Sequence, residues 1–443
     1  MAHILRRLES ILVLVLTAPA LCAAATIEVT PSDNWRAVMQ GLDPGDILIM
    51  HGGTYANSSL FTVQLSGTAQ APILIRAAAG EQPHLLFNGT NQNIINIENS
   101  AHLVIDGIEF SGGSRGIRLT ASSDITIRNS HVHHTAANAI SANDDGSVYA
   151  RLKFLHNEID HTGGNGEGFY LGCNNDTCRM HDSLIAGNYI HHLDGPTVDQ
   201  GDGIEIKTGS YANVVRDNVI HDVAYPGIMV YHTHGNGAAN LIERNLIWNS
   251  GDNGIQVCAD AIVRNNIVLG AAASGIASSP IQGGVPGNLM IVNNTVINAN
   301  GDAIHLSNVS GPIVLANNAL YTTSAAIFAN GNTAQVTALA NAGEGSLQGV
   351  SAGFQASGNI AIDFASASYS GSPPQDLSPR GTLLVGGANV STLAIDDFDD
   401  LPRGTHHDIG AYRAPGSPHW PLQAGFKVLD TLFEHGFESS PLP

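Results

Sequence analysis

Charge is scarce in this chain of 443 residues, where Asp, Glu, Lys and Arg together make up 13%, about half the usual share. The deficit falls on the cations, 18 Lys and Arg against 38 Asp and Glu. A net charge of −20 argues against nucleic acid or an anionic membrane as partner. It admits an anionic polymer as substrate only where a cation or a local basic group offsets the field. Aromatic residues are few, 6%, and helical periodicity is missing throughout. Long apolar runs are missing too: the longest, Ile11–Leu16, is far below the ~20 residues of a membrane span. Arg6 and Arg7 precede that run and Ala23, Ala24 and Ala25 follow it, the pattern of a cleavable export signal over residues 1–25. A secreted or periplasmic location is therefore expected. Cys22 follows Leu21, a poor residue for a lipid-attachment site. Removing Arg6, Arg7 and Glu9 leaves a mature charge of about −21. Of the mature cysteines, Cys173 and Cys178 flank a short polar loop and suit a disulfide in an oxidising compartment. Cys258 sits in an apolar strand and reads as a buried thiol.

What the chain has in quantity is repetition. From about residue 100 to 330 a short unit recurs: an Asn, an aliphatic strand, a polar turn, then a small residue followed by Ile. The Asn series runs Asn129, Asn157, Asn188, Asn218, Asn245, Asn266, Asn294 and Asn318; the second anchor includes Gly116-Ile117, Gly203-Ile204, Gly227-Ile228 and Gly254-Ile255. Spacings of 21 to 35 residues and alternating β-branched residues mark a solenoid of short strands. The expected fold is all-β, a right-handed parallel β-helix of about ten coils stacked about 4.8 Å apart. Asn at one corner suits left-handed turn geometry and a hydrogen-bonded ladder. Residues 26–334 are assigned to the helix and its N-terminal cap, with a short capping helix around Trp35–Met39. Residues 335–443 lose the register and are read as an irregular C-terminal cap and tail. Asp408–Tyr412 within them is similar to an ending common in exported β-helix proteins, and Asp430–Pro443 has no assigned role. Nothing calls for a second chain, and a monomer is expected.

Aligning the coils on the Gly-Ile anchor sorts the outward side chains into columns, since alternate strand residues face out. Ionisable groups gather in three coils: Glu167 and Tyr170 in one, Asp202, Glu205 and Lys207 in the next, Tyr231 with His232 and His234 in the third. Flanking coils carry mostly Ser, Ala, Asn and Gln there. The loops before Gly168 and Gly203 are the long ones, spanning 29 and 35 residues, and long loops beside a rigid sheet are where function usually sits. A second set, His133, His134, His161, His191, His192 and His221, falls in one turn column and reads as a ladder of stacked imidazoles.

The segments PGDILIMHGGTY, GTAQAPILIRAAAGEQPHLLFNG and LVIDGIEFSGG resemble the opening of the chondroitinase B and alginate lyase family. GDGIEIKTGSYANVVRDNVIHD is similar to that family's acidic-then-lysine strand, and to pectate-lyase-like β-helices more broadly. The resemblance covers most of residues 40–320. It implies calcium-binding carboxylates on this strand and a lysine base, with Glu205 matching a calcium ligand and Lys207 the base. The family places its lysine further from its glutamates, and the arginine it carries on the next coil has no counterpart in GIMVYHTH.

Chemistry supplies a separate test. β-Elimination from a uronate removes the proton α to a carboxylate, which requires that carboxylate to be neutralised. Glu167, Asp202 and Glu205, with Asn143 nearby, offer the oxygen ligands calcium takes. Glu205 raises the pKa of Lys207, whereas a cation on Glu205 reverses that sign. Tyr231 or His232 is placed to protonate the leaving oxygen, and Tyr170 and His234 to hold substrate. The expected function is calcium-assisted cleavage of an acidic polysaccharide. A glycoside hydrolase using Glu167 and Glu205 and a non-catalytic carbohydrate-binding protein are the alternatives.

Overall fold

In the computed structural model, which describes residues 24–414 and 420–427, nearly every strand pairs in parallel with the equivalent strand one coil earlier. The expected right-handed parallel β-helix is present, with about 11 turns instead of ten. The export signal falls almost wholly, and Asp430–Pro443 entirely, outside the described residues. One coil illustrates the winding. Val214–Arg216 belongs to a 13-stranded parallel sheet. The chain turns a corner into Val219–Val223, turns again into Ile228–Val230, and loops back to Asn240–Glu243 on the first sheet. Three stacks result: the first sheet, a second stack built on strands like Ile228–Val230, and a third on strands like Val219–Val223.

The Gly-Ile anchor sets the register of the second stack. Ile140 pairs with Phe169, Phe169 with Ile204, Ile204 with Ile228, and Ile228 with Ile255. The small residue before each Ile is a packing requirement. A Cβ on Gly203 would lie 2.5 Å from the Gly227 carbonyl oxygen and 2.7 Å from Ile220 Cγ2. Inward side chains of all three stacks form one continuous core, as the alternation predicts.

The corner between the first and third stacks divides its work between two residues. Asn157, Asn188, Asn218, Asn245, Asn266, Asn294, Asn318 and Asn341 are fully buried and hydrogen-bond to one another up the helix axis. Asn245 Oδ1 accepts from the Asn218 backbone N–H at 3.1 Å and from its Nδ2 at 2.9 Å. Asn245 Nδ2 donates to Val215 O and Asn266 Oδ1. The left-handed turn is made by the residue before each of these, including Asp217, Arg244, Asn265 and Asn293, with φ of 54–58°. Asn129 therefore departs from expectation. It occupies the turn position, φ 50°, and Ser130 takes the ladder site, donating its N–H to Asn157 Oδ1 at 3.1 Å.

The N-terminal end is capped. The helix Trp35–Gln40 packs Trp35 edge-on against Tyr55 and Phe61. Parallel pairing continues past residue 334 through Val336–Leu339 and Asn341–Gln348 to Phe354–Gln355, so the boundary expected at 334/335 lies inside a coil. After that the chain doubles back over the outer side of the third stack. Phe364, Leu384, Phe398, Ile409, Tyr412 and Trp420 form a second core against its outward Leu, Ile and Trp residues. No helix among the described residues is long and apolar enough to cross a membrane.

The ladder predicts an asymmetry between neighbouring positions. Asn245→Ala strands four hydrogen-bonding groups in the core and should lower unfolding free energy by about 3 kcal/mol or more. Asn129→Gly keeps the turn and should stay within about 1 kcal/mol of the parent. Urea titration of both variants checks this.

Candidate active site

Tyr170, Glu205 and Met229 are successive members of one outward column on the second stack, and each is fixed by strand pairing on both sides. Glu167 and Asp202 precede the same strands. Long loops fold over this face, so side chains that point away from the core are nonetheless shielded. Glu167, Asp202 and Glu205 are at most 2% exposed, and Lys207 and Tyr231 5%.

Lys207 is the centre of the arrangement. Its Nζ donates to Glu205 Oε1 in a short contact and to Tyr231 OH at 3.2 Å. It also lies 4.6 Å from the Tyr170 ring centroid and 4.8 Å from that of Tyr231. Tyr231 OH donates to the same Glu205 oxygen at 2.9 Å. Burial alone would lower the Lys207 ammonium, and the adjoining Glu205 carboxylate more than offsets it, so its pKa is raised. Burial and then Glu205 push the Tyr231 phenol far above its ordinary value, which keeps its proton in place.

The three carboxylates converge. Glu167, Asp202 and Glu205 each bring an oxygen within 4.8 Å of the other two. Asn138 donates to Glu167 Oε2. Glu167 Oε1, Asp202 Oδ1 and Glu205 Oε2 are buried without a hydrogen-bond partner among the described residues. Burial, and after it repulsion from Glu205, raises Glu167 to about 7; burial and both neighbours hold Asp202 well above the carboxylate range. Buried acceptors without donors are costly, and an all-carboxylate donor set is what a hard divalent cation takes. The residues present therefore fit calcium.

His232 and His234 take no part in this cluster. His232 turns its Nε2 to the Gln282 carbonyl at 3.3 Å, and His234, at a left-handed position, pairs with Asp176 Oδ2 at 3.1 Å. Both brace the wall beside the site. That wall was not legible in the sequence. Gln282 bonds Thr208 Oγ1 at 3.1 Å and Asn174 Oδ1 at 2.6 Å, joining three loops far apart in the chain. The Cys173–Cys178 disulfide is formed and closes one of these loops. Cys258 is buried nearby, its thiol pushed up to about 11 by burial. The remaining histidines do stack: His134 on His161, His161 on His192, His191 on His221.

Residues 18–190 match the family described as Pel9A-like, right handed beta helix region, and residues 164–320 match the right handed beta helix region family. The fold is that of the pectate-lyase-like β-helices. Among solved structures, pectate lyase Pel9A is similar at a TM-score of 0.53 and 16% identity, covering 89% of this chain and 98% of that one. XylC in complex with xylose is similar at 0.55 and 10% identity, covering 89% and 99%. An alginate lyase from Paenibacillus sp. str. FPU-7 aligns at 0.42 and 20% identity, covering 64% and 99%. At these identities the likeness to Pel9A and XylC shows the fold alone. No curated protein matches the chain in sequence.

The raised carboxyl has a consequence for stability. Folded Glu167 binds its proton more tightly than the unfolded chain does, so its contribution is complete below pH 4.5 and is lost as pH rises to about 7. Calcium-free protein should lose on the order of 3 kcal/mol over that window from this group. Glu167→Gln should flatten the dependence, and calcium should restore stability mainly above pH 7. Thermal unfolding across pH, with and without calcium, reads all three.

Proposed function

We propose that this protein is an exported polysaccharide lyase that cleaves an acidic, uronate-containing glycan as a monomer. The observation that carries the reading is a lysine held between a phenol and a carboxylate beside three buried carboxylates with unused oxygens. Lys207 Nζ, as the free amine, takes the proton from the uronate carbon α to its carboxylate. The C–H electron pair becomes the new C=C bond, and the bond from the β-carbon to the glycosidic oxygen breaks. Tyr231, kept protonated by burial and Glu205, gives its proton to the leaving oxygen. Tyr170 and Tyr231 flank Lys207 with ring faces that also suit stacking on a sugar. Calcium bound by Glu167, Asp202 and Glu205 would supply positive charge that neutralises the uronate carboxylate and weakens the hold of Glu205 on the lysine proton. In a chain of net charge −20, that charge answers the electrostatic difficulty of admitting an anionic glycan.

A second reading rests on Glu167. A carboxyl raised to about 7 beside another carboxylate is what a glycoside hydrolase uses as its acid. Lys207 would then be a substrate contact.

The two readings part in the product. Incubation with alginate, polygalacturonate, chondroitin and dermatan should release ultraviolet-absorbing unsaturated ends in a calcium-dependent way. Lys207→Ala and Tyr231→Phe should each lower the rate by about 100- to 10,000-fold. Reducing ends without unsaturation, surviving Lys207→Ala and lost in Glu167→Gln, would establish the hydrolase instead. No cleavage on any of the four with calcium would refute the lyase.

A further inference from the structure

The N-terminal half of the third stack carries a set of side chains with no part in the chemistry above. His84, Glu109 and His133 lie on Pro83–Phe87, Glu109–Gly112 and His131–His133, three consecutive coils. His84 and Glu109 are direct register partners, and His133 stands on the same outward face two residues beyond His131, the residue that pairs with Glu109. Here both imidazoles lean toward the intervening carboxylate. His133 Nε2 is 3.1 Å and His84 Nε2 is 3.7 Å from the same oxygen, Glu109 Oε1, and the three donor atoms lie within 4.8 Å of one another.

We propose that His84, Glu109 and His133 form a binding site for a divalent late first-row transition metal of the zinc class. Four ligands about 2.0–2.1 Å from a tetrahedral ion stand about 3.3 Å apart. The two nitrogen–oxygen separations bracket that value. Two imidazoles and one carboxylate are a donor set that such ions take with a fourth position left for water. The exposure suits this: the side chains are 22%, 20% and 16% accessible, enough to leave one side of an ion open. The surroundings orient the donors. His134 Nδ1 lies 2.7 Å from His133 Nδ1, a neighbour on the far ring nitrogen that leaves Nε2 toward the site, as metal-ligating histidines require. Ser111 Oγ lies 2.6 Å from His84 Nε2 itself, a contact that an incoming ion would displace.

This face is distinct from the carboxylate cluster. It stands on another stack, and nitrogen donors select against calcium, which takes oxygen. An adjoining group, His131 and Asp160 at 2.5 Å, shares His133 as its third member and is a rival location that Asp160→Asn separates.

The test uses tag-free protein stripped with chelator, titrated with Zn²⁺ against a chromophoric competitor in saturating Ca²⁺. One tight Zn²⁺ per chain is expected, with a rise in melting temperature because the folded chain alone presents the site. His84→Gln and Glu109→Gln should each remove that binding with the far-ultraviolet spectrum unchanged. His134→Ala should weaken it by about 10- to 100-fold, and Asp160→Asn and Glu205→Gln should retain it. Binding that survives both His84→Gln and Glu109→Gln, that is lost in Asp160→Asn, or that calcium abolishes would overturn the proposal, as would no stoichiometric binding.

Discussion

The fold depends on one recurring bond: the buried Asn side chain that accepts from the coil below and donates to the coil above. Parallel strands have slanted ladders of modest strength, and short strands of three residues give each rung little grip of its own. The Asn column supplies what they lack at the sharpest corner, where backbone groups turn inward and would otherwise go unpaired. Side chains such as Asn245 bond to a backbone carbonyl and an Asn of the coil before and to the Asn of the coil after, so a shift of register by one residue breaks several bonds at once. Everything on the outer faces inherits that exactness of position. Glu205 meets Tyr170 on one side because Ile204 is locked to Phe169.

Much of this was legible in the sequence, and for a definable reason. A solenoid repeats its constraints, so a residue type that recurs once per turn reports a place in space. The Gly-Ile anchor thus placed Glu167, Asp202, Glu205, Lys207 and Tyr231 together, and the structure brings those side chains within reach of one another. The anchor fails where repetition stops. His232 and His234 follow the strand into a loop, and their direction is decided by Asp176 and the Gln282 carbonyl, whose proximity no period encodes. Asn129 fails differently: two adjacent corner positions both accept Asn, one for its amide hydrogen bonds and one for its tolerance of positive φ, and sequence spacing cannot separate them within one residue.

The third stack shows a further limit. Its inward and outward residues are both apolar in the later coils, as in Ile267–Leu269, because the returning chain covers them. Strands buried on both sides lose the alternation that reveals a face. In the early coils the same outward positions carry His, Glu and Asp. The switch from polar to apolar along one column marks how far the covering segment extends, a relation visible only once the columns are known.

That covering segment changes what kind of object the solenoid is. Stacked coils alone form a linear array in which each unit feels its neighbours and an end can fray. Here Lys427 reaches back to Asp217 at 3.0 Å, 210 residues earlier in the chain, and Arg244 links Asp217 to Asp396. The last coils are thereby tied to the middle ones, and the terminal rung cannot peel without also releasing contacts at the centre. The array is closed into a loop, and the region around the carboxylate cluster should unfold together with the covering segment as one cooperative unit instead of coil by coil.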